Sequence, residues 1–275
     1  MGVVNVTPDS FSDGGAWWEP ADAVAHGRTL VAEGADIVDV GGESTRPGAQ
    51  RPPEAEELRR VLPVVRELAA SGAVVSIDTM RSAVAMAALD AGAAMVNDVS
   101  GGLADEQMLP VVAAAGVPYV AMHWRRHSAE MQSYTHYDDV VTDIVGRLSE
   151  RADAAERAGI EAGRMAIDPG LGFAKTAAHN WTVLAHLDAL HALGLPVLLG
   201  ASRKSFLGAL LADDAGERSV RERDDATVAC SALAAAQGVW CLRVHEVRGT
   251  ADAVRVVSAW ARAGRTGPPE GPVDG

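Results

Sequence analysis

Cysteine is scarce in this sequence. The 275-residue chain contains Cys230 and Cys241, which form no C-x-x-C pair. This argues against a disulfide framework and against a cysteine zinc site. The sequence also shows no apolar run long enough to span a bilayer and no recognisable signal peptide. Together these absences predict a cytoplasmic protein without a membrane partner.

Positive charge and aromatic residues are also in short supply. The formal net charge is -13, and the chain has 6 tryptophans, 3 tyrosines and 3 phenylalanines. Such an acidic balance argues against a nucleic-acid surface, so we expect no nucleic-acid partner. It leaves an anionic substrate open, because a few local arginines decide whether such a ligand binds. With 48% hydrophobic and 22% charged residues, the composition is that of a globular protein with an ample core.

Short apolar runs alternate with helical patterns along the chain. The predicted strands are residues 3–6, 36–40, 74–78, 95–98, 117–123, 165–168, 196–200 and 241–245. The predicted helices are residues 20–33, 54–70, 81–91, 105–115, 138–158 and 179–193, two helices around the charged stretch 213–223, and a last helix over 251–263. Strict alternation with nearly continuous apolar strands predicts parallel pairing, with helices covering the sheet.

Eight strand–helix units over this length favour a closed (β/α)8 TIM barrel, an α/β fold, as a single domain over residues 1–264. The alternative is an open doubly wound sheet. That fold would want a G-x-G-x-x-G turn after the first strand, and the sequence has none there. Residues 265–275 are rich in glycine and proline and are acidic, so we predict a disordered tail.

The stretch D-P-G-L-G-F-A-K at residues 168–175 is the most informative local pattern. An acid ends a strand, a proline stops it, and two glycines let the backbone turn sharply. Asp168 would then be held rigidly, as in a site that binds a flat ligand through two parallel N–H groups. Taken singly, the pattern is more typical of an acid that caps the next helix or of a satisfied strand-end acid.

Similar polar residues recur where the other strands end, which is where a (β/α)8 barrel carries its active site. Those in or at the ends of strands are Asn5, Asp39, Asp78, Asn97, His123, Asp168, Arg243 and His245. The loops after the strands add Thr45, Arg46, Lys204 and Ser205. As a set they predict a functional site. Asp39 is the exception, because it lies inside a strand and is interpreted as a structural residue that satisfies a neighbouring loop.

Four of these residues suit a flat heterocycle with adjacent N–H donors and ring acceptors: Asp78, Asn97, Asp168 and Lys204. A carboxylate accepts two parallel N–H bonds, an amide offers one donor group and one acceptor, and a lysine donates to a carbonyl oxygen.

A second group suits a phosphate: Asn5, Arg46, Arg243 and His245. Guanidinium binds phosphate through two parallel hydrogen bonds. Asn5 offers a carbonyl oxygen to Mg²⁺, which usually binds few protein groups together with substrate phosphates and water. A heterocycle with a phosphorylated arm indicates transfer chemistry with diphosphate as the leaving group.

Seven motifs follow one another along the chain: NVTPDSFSDGG at 5–15, GGESTRPG at 41–48, IDT at 77–79, NDVSGG at 97–102, DPGLGFAK at 168–175, SRKSF at 202–206 and RVH at 243–245. In their order and spacing they resemble the dihydropteroate synthase family of folate biosynthesis, the enzymes that sulfonamide drugs inhibit. The resemblance covers the chain except its tail. It implies a Mg²⁺-assisted transferase that condenses 6-hydroxymethyl-7,8-dihydropterin diphosphate with 4-aminobenzoate by a dissociative mechanism, and it implies a homodimer.

The resemblance also implies roles for individual residues. Those expected to bind the pterin are Asp78, Asn97, Met122, Asp168, Phe173, Lys204 and Arg243. Those expected to bind the diphosphate are Asn5, Arg46, Arg243 and His245, with Asn5 also contacting the metal. Those expected to line the aminobenzoate pocket are Phe11, Thr45, Pro47, Phe173 and Ser205. Asp13 is expected near the reacting methylene, and the implied catalytic set is Asn5, Asp13, Lys204, Arg243 and His245.

Two other functions stay open at this point. Related barrels that transfer methyl groups from reduced folates to a corrinoid share the pterin half of the site, but they should not need the full motifs at 7–15 and 202–205. A paralogue that binds pterin without synthesis is the other alternative. Family members usually carry several residues before the first strand, whereas here the strand begins close to Met1. This predicts a late assigned start or a missing N-terminal hairpin.

Overall fold

The computed structural model describes residues 1–7, 20–44, 48–127, 130–214 and 216–265. Within these ranges the strands are β1 Gly2–Asn5, β2 Val38–Gly41, β3 Val75–Asp78, β4 Met95–Asp98, β5 Tyr119–Met122, β6 Met165–Asp168, β7 Leu198–Leu199 and β8 Cys241–Leu242. The helices are α1 Pro20–Ala32, α2 Glu54–Ala70, α3 Ser82–Asp90, α4 Met108–Ala115, α5 Val140–Arg157, α6 Ala177–Ala185, α7 Leu187–His191, α8 Ser205–Leu210, α9 Asp224–Ala236 and α10 Arg248–Arg265.

The strands close into a barrel. Strands β1 to β6 pair in sequence order, and β7 pairs with β8, all in parallel. Parallel bridges join the two groups, from Gly2 to Val244 and from Ile167 to Val197. Each strand is followed by helix on the outside, so the predicted (β/α)8 TIM barrel is confirmed.

The interior of the barrel changes from apolar to polar along the strands. Residues that pair across neighbouring strands point to the same side of a sheet, so the register defines layers. The lower interior is an apolar cluster of Met1, Met95, Val120, Ala166, Leu198 and Cys241. The buried polar residues Asp39 and Ser76 lie level with Met95 in the register, and polar side chains become more frequent toward the carboxyl ends of the strands. The core thus forms a floor under the site.

The helices pack their apolar faces on the outside of the barrel. In α1 the buried residues are Ala23, Val24, Gly27 and Leu30, at helical spacing. A Cβ on Gly27 would lie 2.7 Å from Leu68, so glycine allows α1 and α2 to approach closely.

Three predicted helices differ from the structure by three residues or more. The last, predicted over 251–263, spans Arg248–Arg265. The helix predicted over 179–193 is two helices, because His186 leaves helical geometry at φ -126° and ψ 43°. The helix predicted from residue 105 begins at Met108. Asp105 instead accepts hydrogen bonds from the backbone N–H groups of Ser82 and Gln107, which joins the start of α3 to the loop before α4.

Several sequence predictions lie outside the described residues. They concern Phe11, Asp13, Thr45, Arg46 and Pro47, and residues 266–275 of the predicted tail. Arg265, the first residue of that predicted tail, is the last residue of α10. Within the described ranges, no helix is both long and apolar enough to cross a membrane.

Candidate active site

Four polar residues lie at the carboxyl ends of strands in the barrel. Asn5, Asp78, Asn97 and Asp168 are the last or next-to-last residues of β1, β3, β4 and β6. The register aligns the first three, since Asn5 and Asp78 both pair with Gly41 and Asp78 also pairs with Asn97. Asp168 pairs with Met122, two residues beyond the Val120 that pairs with Asn97. Across the barrel, the Arg243 side chain reaches the same group from the end of β8.

Arg243 lies at the centre of a buried hydrogen-bond network. Its Nε donates to Asp39 Oδ2 and its Nη2 donates to Asp78 Oδ2, each at 2.7 Å. Asn97 Nδ2 donates to the same Asp39 oxygen at 3.0 Å. Asp39 is fully buried one layer below the strand ends. The interpretation of Asp39 as a residue that satisfies a neighbouring loop is therefore wrong, because its partners are two residues of the predicted site.

Burial shifts the charges of the site toward neutrality. It raises the pKa of Asp78 to about 7, although the Arg243 guanidinium opposes the shift. Burial also raises the pKa of Asp168, and it lowers the pKa of Lys204 to about 8. Burial opposes the charge of Arg243, but the carboxylates of Asp39 and Asp78 outweigh it and raise the pKa of that guanidinium. Acidic and basic groups that lie close together with shifted pKa values are typical of functional sites.

The loop after β6 turns as its glycines predict. The Gly170 N–H donates to Asp168 Oδ1 at 2.7 Å, which fixes the carboxylate. Gly170 has φ +66°, and a Cβ there would lie 2.6 Å from the His123 carbonyl oxygen. Gly172 has φ +78°, and a Cβ there would lie 2.9 Å from the Lys204 side chain. Glycine is needed at both positions, for the backbone angle and for space.

An apolar wall adjoins these polar groups. Met122 packs with Met80 and Val99, and the partly buried Phe173 packs against this cluster. Lys204 Nζ lies 4.3 Å from the centroid of the Phe173 ring. A flat ring could therefore meet polar groups along its edges and apolar groups on its face.

Lys175, the last residue of the same motif, supports the loop from behind. Its buried Nζ donates to the carbonyl oxygens of Gly170 at 3.0 Å and Phe173 at 3.2 Å. It also lies 3.0 Å from His123 Nδ1, and His123 Nε2 lies 3.4 Å from Asp143. Burial lowers the pKa of Lys175 to about 7 and that of His123 to about 2. The sequence groups His123 with the polar residues at the strand ends. In the structure it contacts Lys175, the residue that supports the loop after β6.

The turn after β7 is held in an unusual conformation. Arg203 has φ 58°, in the left-handed region. Its guanidinium donates to both oxygens of Asp224 at 2.7 and 2.8 Å, and its backbone N–H donates to Thr227 Oγ1 at 3.1 Å. The start of α9 thereby fixes the turn. Next to Arg203, the Ser202 hydroxyl lies 3.0 Å from Nδ1 of His245.

Buried ion pairs anchor the loop that follows β2. Glu57 of α2 is fully buried and accepts hydrogen bonds from Thr79 Oγ1 at 2.6 Å and from Arg81. Arg51 donates through Nε to both oxygens of Glu43, at 2.9 and 3.0 Å. These contacts fix both ends of a loop whose central residues lie outside the described ranges.

Residues 1–245 match the model of a protein family described as pterin binding enzyme. The chain belongs to the pterin binding enzyme family. A dihydropteroate synthase of Mycobacterium leprae is 57% identical over 266 residues, which cover 96% of this chain and 94% of that protein.

Solved structures agree with this family. A structure of Xanthomonas albilineans dihydropteroate synthase with 4-aminobenzoic acid has a TM-score of 0.87 at 47% identity, covering 98% of this chain and 93% of that one. A Yersinia pestis dihydropteroate synthase with a sulfonamide drug complex has a TM-score of 0.89 at 41% identity, covering 95% and 94%. The activity of this pterin binding enzyme is dihydropteroate synthesis, which makes it a transferase of folate biosynthesis. The predicted family, fold and enzyme class are confirmed.

The structure of this family member brings together much of the predicted pterin set. Asp78, Asn97 and Arg243 share one network, and Lys204 lies over Phe173 next to the loop that begins at Asp168. Met122 pairs with Asp168 across β5 and β6. Ser205 is exposed at the start of α8. The roles assigned to these residues stay predictions.

Four contributors to this site were missed from the sequence: Asp39, Glu57, Lys175 and Ser202. A signal existed for Lys175, because it closes the motif at 168–175 and because Lys175 and Lys204 are the only lysines in the chain. Ser202 also lies inside a recognised motif. Glu57 is one of several acids at the start of α2, and no local pattern separates it from a solvated residue.

Proposed function

We propose that this chain condenses 6-hydroxymethyl-7,8-dihydropterin diphosphate with 4-aminobenzoate to give 7,8-dihydropteroate and diphosphate. The supporting observation is the convergence of two carboxylates, an amide and a lysine at one end of the barrel, beside the Arg243 guanidinium. An aminopyrimidinone ring offers N–H donors along one edge and a carbonyl acceptor next to them, which this set complements.

The hydrogen bonds within the protein leave mainly acceptor atoms of these side chains available to a ligand. Asp168 uses Oδ1 for the Gly170 N–H, and Asp78 uses Oδ2 for Arg243. Asn97 donates its amide N–H to Asp39, which leaves its oxygen as an acceptor. Among the described residues, no protein donor reaches the second carboxylate oxygen of Asp78 or Asp168, or the side-chain Oδ1 of Asn97. Three acceptors with one cationic donor, Lys204, would thus meet the pterin edge.

The diphosphate would be bound by Asn5, Arg46, Arg243 and His245. A guanidinium has five N–H donors. Asp39 and Asp78 use two of those on Arg243, so three remain for phosphate oxygens. Stacking of Arg243 on the pterin face would place its guanidinium group between the pterin ring and the leaving diphosphate.

Asn5 fits a Mg²⁺ ion that arrives with the substrate. Its amide stands at the end of β1, half-buried. The described residues contain no cluster of three or more His, Cys, Asp or Glu side chains able to hold a metal ion. Mg²⁺ would therefore depend on the diphosphate and water as well as on Asn5. When bound, it would neutralise charge that develops on the leaving diphosphate.

The aminobenzoate would lie between Phe173 and Ser205, with Phe11, Thr45 and Pro47 completing the pocket. Ser205 is exposed at the barrel mouth, where its hydroxyl can donate to the ligand carboxylate. Sulfonamides, which resemble aminobenzoate in shape and charge, would compete for this place.

We propose a dissociative mechanism. The bond between the pterin methylene and the diphosphate oxygen breaks first, and its electron pair leaves with diphosphate. The electron-rich dihydropterin stabilises the resulting cation, with Asp13 facing it. The aminobenzoate nitrogen then forms the new C–N bond and loses a proton. The protein contributes by neutralising the leaving group and by presenting negative charge to the cation.

The overall proposal is tested by dihydropteroate formation from the two substrates with Mg²⁺, and absence of product would refute it. The mechanism is tested with pterin diphosphate and Mg²⁺ alone. We expect slow diphosphate release as water captures the cation, and a chelator should suppress it. If no diphosphate appears over many turnover times, the amine must take part in its expulsion and the dissociative mechanism is wrong.

Two variants separate the roles of individual residues. The half-reaction is the release of diphosphate from the pterin substrate without aminobenzoate. Asp13→Ala should reduce turnover far more than pterin affinity, since its charge is used mainly in the transition state. Ser205→Ala should weaken aminobenzoate and sulfonamide binding and leave the half-reaction nearly unchanged, because its proposed contact is only to the second substrate. If Ser205→Ala impairs diphosphate release as much as it impairs aminobenzoate binding, Ser205 does not belong to the aminobenzoate pocket alone.

We further propose that the chain works in the cytoplasm as a homodimer. Trp260 of α10 is 80% exposed, and Val256, one turn earlier on the same face, is also exposed. Leu233 is exposed on α9, which packs against α10. Covering this apolar surface would favour association. Light scattering should give twice the mass of one chain for the wild type and the mass of one chain for Trp260→Asp. A monomeric wild type would refute the dimer.

A further inference from the structure

The hydroxyl of Ser202 contacts His245 at two atoms. Its Oγ accepts a hydrogen bond from the His245 backbone N–H at 3.1 Å and lies 3.0 Å from the ring Nδ1. The two residues follow the paired strands β7 and β8, and the Ser202 side chain is buried. A buried serine that meets both the backbone and the ring of one histidine restricts how that ring can be protonated.

Counting protons decides which ring nitrogen accepts. A serine hydroxyl has one proton and two lone pairs, and the His245 backbone N–H uses one lone pair. Across the described part of the chain, His245 supplies all the hydrogen bonds of the Ser202 hydroxyl, so Nδ1 is the acceptor available for its proton. A neutral ring that accepts at Nδ1 carries its own proton on Nε2. The opposite tautomer would leave a buried hydroxyl proton without an acceptor, which is unfavourable.

The turn around Ser202 is built to hold this geometry. Arg203 adopts its left-handed backbone angle next to Ser202, and Asp224 and Thr227 of α9 bind the Arg203 side chain and backbone. The hydroxyl is therefore placed by a neighbouring helix as well as by its own strand.

We propose that Ser202 is a positioning residue that fixes His245 in the Nε2–H tautomer, so that the ring presents a hydrogen-bond donor to the leaving diphosphate. The inference rests on the proposed role of His245 in binding diphosphate. Phosphate oxygens only accept, so a ring nitrogen with a lone pair would repel them and one with a proton binds them. Ser202 thereby acts on the leaving group through His245.

The tautomer can be read by ¹⁵N–¹H correlation spectra of the histidine rings in the folded enzyme, at a pH where the rings are neutral. The chain has 8 histidines, and the His245 signals are those lost in His245→Asn. We expect an unprotonated Nδ1 and a protonated Nε2 in wild type. Ser202→Ala should populate the Nδ1–H form, whereas Ser202→Thr, which keeps a hydroxyl, should retain the wild-type pattern. An Nδ1–H tautomer in wild type would overturn the inference.

Binding measurements link the tautomer to function. With inorganic diphosphate and Mg²⁺ as the probe, Ser202→Ala should lose about ten-fold in affinity, the size expected for one hydrogen bond. Affinity for 6-hydroxymethyl-7,8-dihydropterin, which lacks the diphosphate arm, should stay within twofold of wild type, roughly the error of such titrations. The matched control is Ser231→Ala, because Ser231 is also a buried serine but lies on α9. It should change neither value.

The outcomes separate this inference from the proposal on which it rests. If His245→Ala weakens diphosphate binding but Ser202→Ala changes neither tautomer nor affinity, the inference is wrong and the role of His245 stands. If His245→Ala leaves diphosphate affinity unchanged, the proposed role of His245 is wrong and the inference falls with it. Equal loss of diphosphate and pterin affinity in Ser202→Ala would indicate a general structural role and would also overturn it.

Discussion

Replacing Asp39 by asparagine would remove one negative charge from the layer below the barrel mouth while keeping the size of the side chain. Arg243 donates to Asp39 at 2.7 Å and Asn97 donates to the same oxygen at 3.0 Å. An asparagine accepts through one oxygen only, and its NH₂ group can oppose the donors of Arg243 and Asn97. The variant should therefore loosen two side chains of the proposed pterin site at once.

The magnitude follows from what remains in place. Removing one partner of a buried charge pair typically costs about 3–5 kcal/mol. Arg243 keeps its 2.7 Å contact with Asp78, and the substituted amide can still accept one bond. We therefore expect a loss of about 2 kcal/mol in the free energy of unfolding. Pterin affinity should fall by about ten-fold or more, because the Asn97 amide can then turn its donor toward the ligand.

A second consequence distinguishes an electrostatic role from a structural one. The Asp39 charge contributes to raising the pKa of Asp78, which burial chiefly raises to about 7. Without that charge, Asp78 should ionise at lower pH, and the acid limb of pterin affinity should move down.

The assays are urea unfolding and calorimetric titration with dihydropterin across pH. Ser76→Ala is the matched control, because Ser76 pairs with Asp39 in register and its buried Oγ has no hydrogen-bond partner among the described residues. It should change none of the three values. Unchanged stability, affinity and acid limb in Asp39→Asn would refute the role given to Asp39.

Three further outcomes are expected. Asp168→Ala should cost on the order of 2–5 kcal/mol of pterin binding free energy with the fold intact, and unchanged affinity in calorimetry would remove Asp168 from the site. The pKa of Asp78 is raised to about 7 and that of Lys204 is lowered to about 8, so Asp78 loses its charge below the first pH and Lys204 above the second. The affinity of the enzyme for pterin should therefore rise toward pH 7 and fall above pH 8, and an affinity that does not change with pH would contradict both assignments. Lys175→Met should lower the free energy of unfolding by roughly 1–3 kcal/mol, because the carbonyl oxygens of Gly170 and Phe173 lose a buried donor. Urea unfolding measures it, and wild-type stability would exclude that support.

The fold could be predicted from the sequence because its signals are local. Each apolar strand and each helical stripe spans a few consecutive residues, and strict alternation leaves few ways to pair the strands. Element boundaries were less predictable where a side chain binds a distant backbone group. Asp105 delays the start of α4 because its carboxylate holds the N-terminus of α3.

For the site, the sequence by itself determined which residues stand at the carboxyl ends of the strands, since a residue's place along its strand is set by its neighbours. It also determined where the backbone turns at Gly170 and Gly172. The partners of each charge were decided only by the tertiary structure. Asp39 and Arg243 are far apart in the chain and meet because the barrel closes between β1 and β8. Hydrogen-bond partners depend on barrel closure and register, which no local pattern encodes, so the roles of Asp39 and Ser202 become visible only in the folded chain.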